Sequence, residues 1–236
     1  MIKSEKICLV TGASSGIGFA IARALNVDGY IVVATARRLD NLKKIGLESD
    51  NLLPGDLSQP GFQKSLVDHI YTKYGKCDFL FNCAGMFEAG SIDEIDIEKM
   101  SAMLRLNVEA TFRLTYVMLK RFINQGYGHV VNISSVLGTK VRATAGAYAA
   151  TKYAMEALSE ALRMELTGEK IKISCIEPGL VLTELHKDLK IHPKESMNIH
   201  EPLSVDDIVD IVRFIINQPD HVRIPRLMVL PNDHNI

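Results

Sequence analysis

The sequence predicts an α/β fold, a doubly wound parallel sheet of about seven strands with helices on both faces. Three observations carry this. Short runs rich in Val, Ile and Leu alternate with longer amphipathic stretches along all 236 residues. Most of the short runs are apolar throughout, as strands covered by helices on both faces must be. The first run leads through a glycine-rich turn straight into a helical pattern, the local order of a nucleotide site.

In chain order the predicted strands are Ile7–Val10 (ICLV), Ile31–Ala34 (IVVA), Asn51–Pro54 (NLLP), Phe79–Asn82 (FLFN), His129–Ser134 (HVVNIS), Lys172–Ile176 (KISCI) and Leu227–Leu230 (LMVL). Helical periodicity falls between them, over about residues 16–28, 38–45, 60–74, 94–106, 108–125, 145–167 and 204–217. The helix at 145–167 is rich in Ala, Leu, Glu and Met, all strong helix formers. Strand–helix alternation throughout implies right-handed crossovers. No linker, repeat or low-complexity stretch interrupts it, so the expectation is one domain over residues 1–236. The segment from Leu182 to Leu203 breaks the rhythm, with two prolines and three histidines. Connections this long are often lids, and this one follows a strand at the edge where such sheets bind ligands.

Composition excludes several classes. Twenty-seven basic side chains balance 28 acidic ones, for a net charge of −1, so nothing marks a nucleic acid or an anionic membrane as partner. No apolar run reaches the length of a membrane span, and the start, MIKSEKICLVTG, reads as a strand and a turn rather than a signal peptide. Cys8, Cys77, Cys83 and Cys175 form no C-x-x-C pair. They read as reduced core thiols of a cytoplasmic protein. His186, His192 and His200 match no metal-ligand spacing and read as solvent-facing loop residues, so no metal is expected.

The glycine turn carries the first chemistry. Thr11-Gly-Ala-Ser-Ser-Gly-Ile-Gly18 follows a strand and opens a helix. Gly12, Gly16 and Gly18 permit positive φ and close approach of the backbone to phosphate. The helix start beyond Ser14, Ser15 and Ile17 offers unpaired amides and a positive dipole end to a pyrophosphate. This Rossmann-type context predicts dinucleotide binding, and the missing Gly-Lys-Ser/Thr excludes a phosphate-loop NTPase. The second strand ends in Ala36-Arg37-Arg38. An acid here would bind the ribose of NAD, whereas arginine accepts the 2′-phosphate of NADP. Arg37 and Arg38 therefore predict NADP (NADPH) over NAD, the alternative being a solvated arginine pair.

Tyr148 and Lys152 lie one turn apart on one helical face. A fixed cation beside a phenol lowers its pKa toward the range useful for acid–base work. Tyr148 is the candidate proton carrier, and Tyr153, a sequence neighbour of Lys152, faces away from it. Lys140 and Arg142 could meet an acidic substrate, although solvated loop charges read in the same way. Met86 and Phe87 could line a pocket or simply pack.

Taken together these residues resemble the short-chain dehydrogenase/reductase family over nearly the whole chain. Thr11–Gly18 resembles its T-G-x-x-x-G-x-G, Asn82-Cys-Ala-Gly85 its N-N-A-G, and Tyr148-Ala-Ala-Thr-Lys152 its Y-x-x-x-K. Cys83 departs from the second asparagine. The resemblance implies Asn107, Ser135, Tyr148 and Lys152 as the catalytic set. Ser135, thirteen residues before the tyrosine, would hold the carbonyl oxygen. Lys152 would also hold the nicotinamide ribose, and Asn107 a water. It implies cofactor contacts from Asp56 and Leu57, from Asn82, Ala84 and Gly85, and from Pro178, Gly179, Val181 and Thr183. The expected activity is NADP(H)-dependent hydride transfer between a nicotinamide and a small-molecule carbonyl or secondary alcohol, by a homodimer or homotetramer. The alternatives are physiological oxidation of a hydroxy acid or steroid-like alcohol, or a non-catalytic NADPH sensor.

Overall fold

A computed structural model describes residues 5–186 and 193–235. Its seven strands form one sheet in the order β3-β2-β1-β4-β5-β6-β7, with every pair parallel. They are β1 Ile7–Thr11, β2 Ile31–Ala36, β3 Leu52–Pro54, β4 Phe79–Asn82, β5 Tyr127–Ile133, β6 Lys170–Pro178 and β7 Arg226–Val229. The helices are α1 Gly16–Val27, α2 Leu39–Lys43, α3 Phe62–Tyr74, α4 Ile97–Leu104, α5 Thr111–Gln125, α6 Gly146–Glu165, α7 Pro193–Ser196 and α8 Val205–Ile216. Strand order reverses between β1 and β4, so their carboxyl ends open the crevice where such sheets bind ligands.

Side chains alternate across the sheet and so divide the core in two. Val10, Phe81 and Val131 face α1 and α8, joining Ile21, Leu25, Val212 and Ile215. Their neighbours Leu9, Leu80 and Val130 face α3 and α5, joining Leu66, Ile70, Leu114, Met118 and Phe122. Burying each such side chain contributes roughly 1.5–3 kcal/mol. That is why these strands are apolar on both faces. Ser204 and Asp207 close a reciprocal cap at the start of α8, satisfying two of its free amides.

Two expectations change. The helices expected at 94–106 and 108–125 are one continuous run, in which α4 passes through a π turn, Arg105–Ala110, into α5. The extra residue of a π turn rotates the buried face, which makes one helix look like two in periodicity. The 182–203 connection is not wholly irregular. It contains a short turn at Glu184–His186 and then α7. Its ends are fastened together, with Val181 pairing Leu203, the Leu182 amide donating to the Leu203 carbonyl at 2.9 Å, and the Leu203 amide donating to that of Leu180 at 2.9 Å. His192 lies outside the described residues.

Candidate active site

The crevice at the strand ends is a continuous cleft of about 1330 Å³. At one end is the glycine turn. Gly12 and Gly16 adopt φ of +65° and +55°. A Cβ on Gly12 would stand 2.7 Å from the Ala84 backbone, and one on Gly18 2.6 Å from the Gly12 carbonyl oxygen. The turn is therefore as close to β4 as backbones can come. Thr11 fixes it there: its Oγ1 accepts from the Cys83 and Ala84 amides at 3.0 and 3.1 Å and donates to the Phe81 carbonyl at 3.3 Å. No side chain caps the start of α1 at Ser15, which leaves its first amides for an anion.

Arg38 lies over this turn. Its guanidinium donates to Ser14 Oγ (3.2 Å), to Ser15 Oγ (2.7 Å) and to Glu184 Oε2 (3.1 Å). Arg37 also lines the cleft. Two arginines and a cradle only glycine can form fit a phosphorylated dinucleotide.

At the inner end stand Ser135, Tyr148 and Lys152. Ser135 begins a turn after β5, its Oγ accepting from the Leu137 amide at 3.1 Å, and its side chain lies close enough to the Tyr148 phenol to lower its pKa. Tyr148 is 7% exposed and Lys152 5%. The Phe87 ring packs 4.7 Å from that of Tyr148. Lys152 Nζ lies 5.7 Å from the centre of the Tyr148 ring and donates to the Ile133 carbonyl at 2.9 Å.

The electrostatics reverse one expectation. Burial pushes the Tyr148 phenol up to about 12, with only Ser135 pulling it down. The lysine does not acidify it, because Lys152 is itself buried and pushed down to about 8. Desolvation dominates both groups, and the pair rests as a phenol beside an ammonium that readily loses its proton.

Most expected cofactor residues line the cleft: Gly12, Ser14, Ser15, Gly16, Ile17, Gly18, Asp56, Leu57, Ala84, Gly85, Pro178, Gly179, Val181 and Thr183. Asn82, expected at the cofactor, and Asn107, expected in the catalytic set, do not. Asn82 is turned into the sheet, donating to Thr115 and Asn132 at 3.1 and 2.8 Å. Asn107, 1% exposed at the π turn, accepts from the Met86 amide (2.8 Å) and donates to the Met86 carbonyl (2.9 Å) and Thr151 Oγ1 (3.2 Å). It ties the β4 loop to α6, and its amide hydrogens are spent on protein rather than water. His186, expected in solvent, Tyr153, expected to face away from Lys152, and Lys140 and Arg142, left open between an acidic substrate and solvent, all reach the cleft, and His186 packs 5.2 Å from the Phe87 ring. Sequence reasoning missed His234, which the C-terminal turn folds over Gly179. Nothing local marks it.

A parallel sheet with a glycine-turn cleft that ends in a Ser–Tyr–Lys group defines a nucleotide-binding oxidoreductase. The short chain dehydrogenase family model matches residues 6–194, and the chain belongs to that family. An uncharacterized oxidoreductase of Staphylococcus saprophyticus is 30% identical over 237 residues, covering 96% of this chain and 97% of that one. An alcohol dehydrogenase from the archaeon Thermococcus sibiricus, solved with 5-hydroxy-NADP, superposes with a TM-score of 0.85 at 27% identity, covering 99% of each chain. The closed form of a serine dehydrogenase with NADP+ gives 0.89 at 28%, covering 98% of this chain and 96% of the other. Among the described residues no helix is long and apolar enough to cross a membrane.

Proposed function

We propose that this oxidoreductase is an NADP(H)-dependent carbonyl reductase or alcohol dehydrogenase in which Tyr148 moves the proton. One observation carries the reading. A buried phenol, beside Ser135 and one helical turn from Lys152, faces the inner end of a cleft whose other end is built for a dinucleotide. When bound, NADPH supplies the hydride. The glycine turn and the α1 amides would hold its pyrophosphate, Arg38 and Arg37 its 2′-phosphate, and Lys152 its nicotinamide ribose. The names of the two solved relatives denote hydroxyl-bearing substrates, which supports a CH–OH/C=O assignment.

Each residue then has a separable task. Ser135 donates to the carbonyl oxygen and orients it. Tyr148, fully protonated at neutral pH, donates its proton to that oxygen. The Lys152 ammonium stabilises the phenolate as it forms. Asn107 acts at one remove, as a positioning residue that fixes Met86 and Thr151. The stripe of exposed small residues on α6, Ala150, Ala157 and Ala161, supports a homodimer or homotetramer. A monomeric mass by light scattering would contradict that.

The test is NADPH consumption with a panel of ketones, aldehydes and diketones, repeated with NADH and in the oxidative direction. Turnover is expected, with NADPH favoured by about 10- to 100-fold. Tight NADPH binding without turnover across the panel would favour a sensor instead.

A further inference from the structure

The inner half of the cleft is cationic in a way the proton chemistry does not require. Arg142, on the loop between β5 and α6, is half-buried there and lines the same wall as Tyr148. Among the described residues its guanidinium has one polar side-chain contact, from Nη1 to the Met197 sulfur, a weak acceptor. Arg105 and Lys140 line the same cleft. Among the described residues only two acids line it. The cleft's acids, Asp56 and Glu184, stand at the cofactor end, where Asp56 accepts from Ser58 and Glu184 pairs with Arg38. The two arginine sites thus differ: Arg38 has a carboxylate and two hydroxyls, while Arg142 has a thioether.

A partly desolvated guanidinium without a counter-ion is costly unless an anion arrives. His234 adds a second polar group. Its Nδ1 is buried against Gly179 and has no hydrogen-bond partner. Burial and the nearby Arg142 hold its imidazolium down, against the pull of the neighbouring Asp233 carboxylate, so it stays neutral and can donate or accept. Phe87, Leu185 and Met197 close the apolar side.

We propose that Arg142, assisted by His234, binds a carboxylate on the substrate, making the substrate class hydroxy acids and the corresponding keto acids. A planar fork suits a carboxylate better than it suits a neutral carbonyl group. This rests on the reading of the cleft as a carbonyl/alcohol site, and the experiment separates the two. The NADP+-loaded protein is assayed with short hydroxy acids and, as neutral counterparts, their methyl esters. The NADPH-loaded protein is titrated calorimetrically with butyrate, which has no reacting hydroxyl.

The expected result is a kcat/KM for acids above that for esters. In Arg142→Gln that ratio should fall about 10- to 100-fold, with a matching weakening of butyrate binding. Arg142→Lys should restore part of both. Turnover of acids and esters alike, with Arg142→Gln changing neither ratio nor butyrate affinity, overturns the carboxylate site and leaves the oxidoreductase reading standing. Butyrate binding that depends on Arg142, without turnover of any substrate, upholds the carboxylate site and overturns the reading of the reaction. Failure of butyrate to bind the parent protein also overturns the site.

Discussion

Replacing Lys152 with methionine is expected to stabilise the protein at neutral pH and to lose that advantage in mild alkali. Burial lowers this ammonium from its ordinary 10.5 to about 8. Each unit is worth about 1.4 kcal/mol, so the folded state at pH 7 bears about 3 kcal/mol for keeping the charge buried. The sign follows from proton binding. Between 8 and 10.5 the unfolded lysine holds a proton that the folded one has lost, so parental stability rises with pH through that window. From pH 7.5 to 9.5 the recovered stability is about 2 kcal/mol. Methionine removes the titration but leaves the Ile133 carbonyl without its 2.9 Å donor, a pH-independent loss of about 1–3 kcal/mol. The net gain at pH 7.5 is therefore about 1 kcal/mol, or about 2–4 °C in Tm. Tyr148 and the thiols Cys77, Cys83 and Cys175, all pushed up to about 12, make stability fall at high pH. Tyr148 and Cys77 are common to both proteins and cancel in the difference, whereas Cys83, which Lys152 pulls down, rises further in the variant. The assay is urea unfolding of parent and variant at several pH values. Curves of stability against pH that run parallel from 7.5 to 9.5 would refute the reasoning.

Other expectations concern the cofactor end and the scaffold. Glu184→Gln frees Arg38 from an exposed ion pair and should tighten NADPH binding by about 2- to 5-fold with little change for NADH; fluorescence titration measures both, and equal shifts would remove Glu184 from 2′-phosphate selection. Arg38→Gln should weaken NADPH by about 10-fold and NADH less. Gly18→Ala puts a methyl 2.6 Å from the Gly12 carbonyl oxygen, so NADPH binding should vanish while circular dichroism still reports a folded chain. Asn107→Ala deprives the Met86 amide and carbonyl of partners and should cost about 2–4 kcal/mol in urea unfolding; a loss below about 0.5 kcal/mol would deny it the positioning role.

What was legible in the sequence is what the chain decides locally. The glycine turn, the Tyr148–Lys152 spacing and the doubly apolar strands each follow from backbone freedom, helical period or two-sided burial, and all stand where they were expected. Other features depend on what arrives from elsewhere. The π turn exists where Asn107 reaches across to Met86 and Thr151. Asn82 belongs to a ladder with Asn132 and Thr115, which no local pattern announces. The Tyr148 pKa depended on knowing that the lysine is as deeply buried as the phenol. Arg142 reads as a loop charge until Met197 and His234, both distant in sequence, fold around it.

The most direct test of the account is single-turnover NADPH oxidation by Tyr148→Phe, with cofactor affinity measured on the same preparation. Loss of the phenolic proton should slow the step by about 10²- to 10⁴-fold and leave the NADPH Kd within about 2-fold of the parent. A variant that consumes NADPH at close to the parental rate would contradict it.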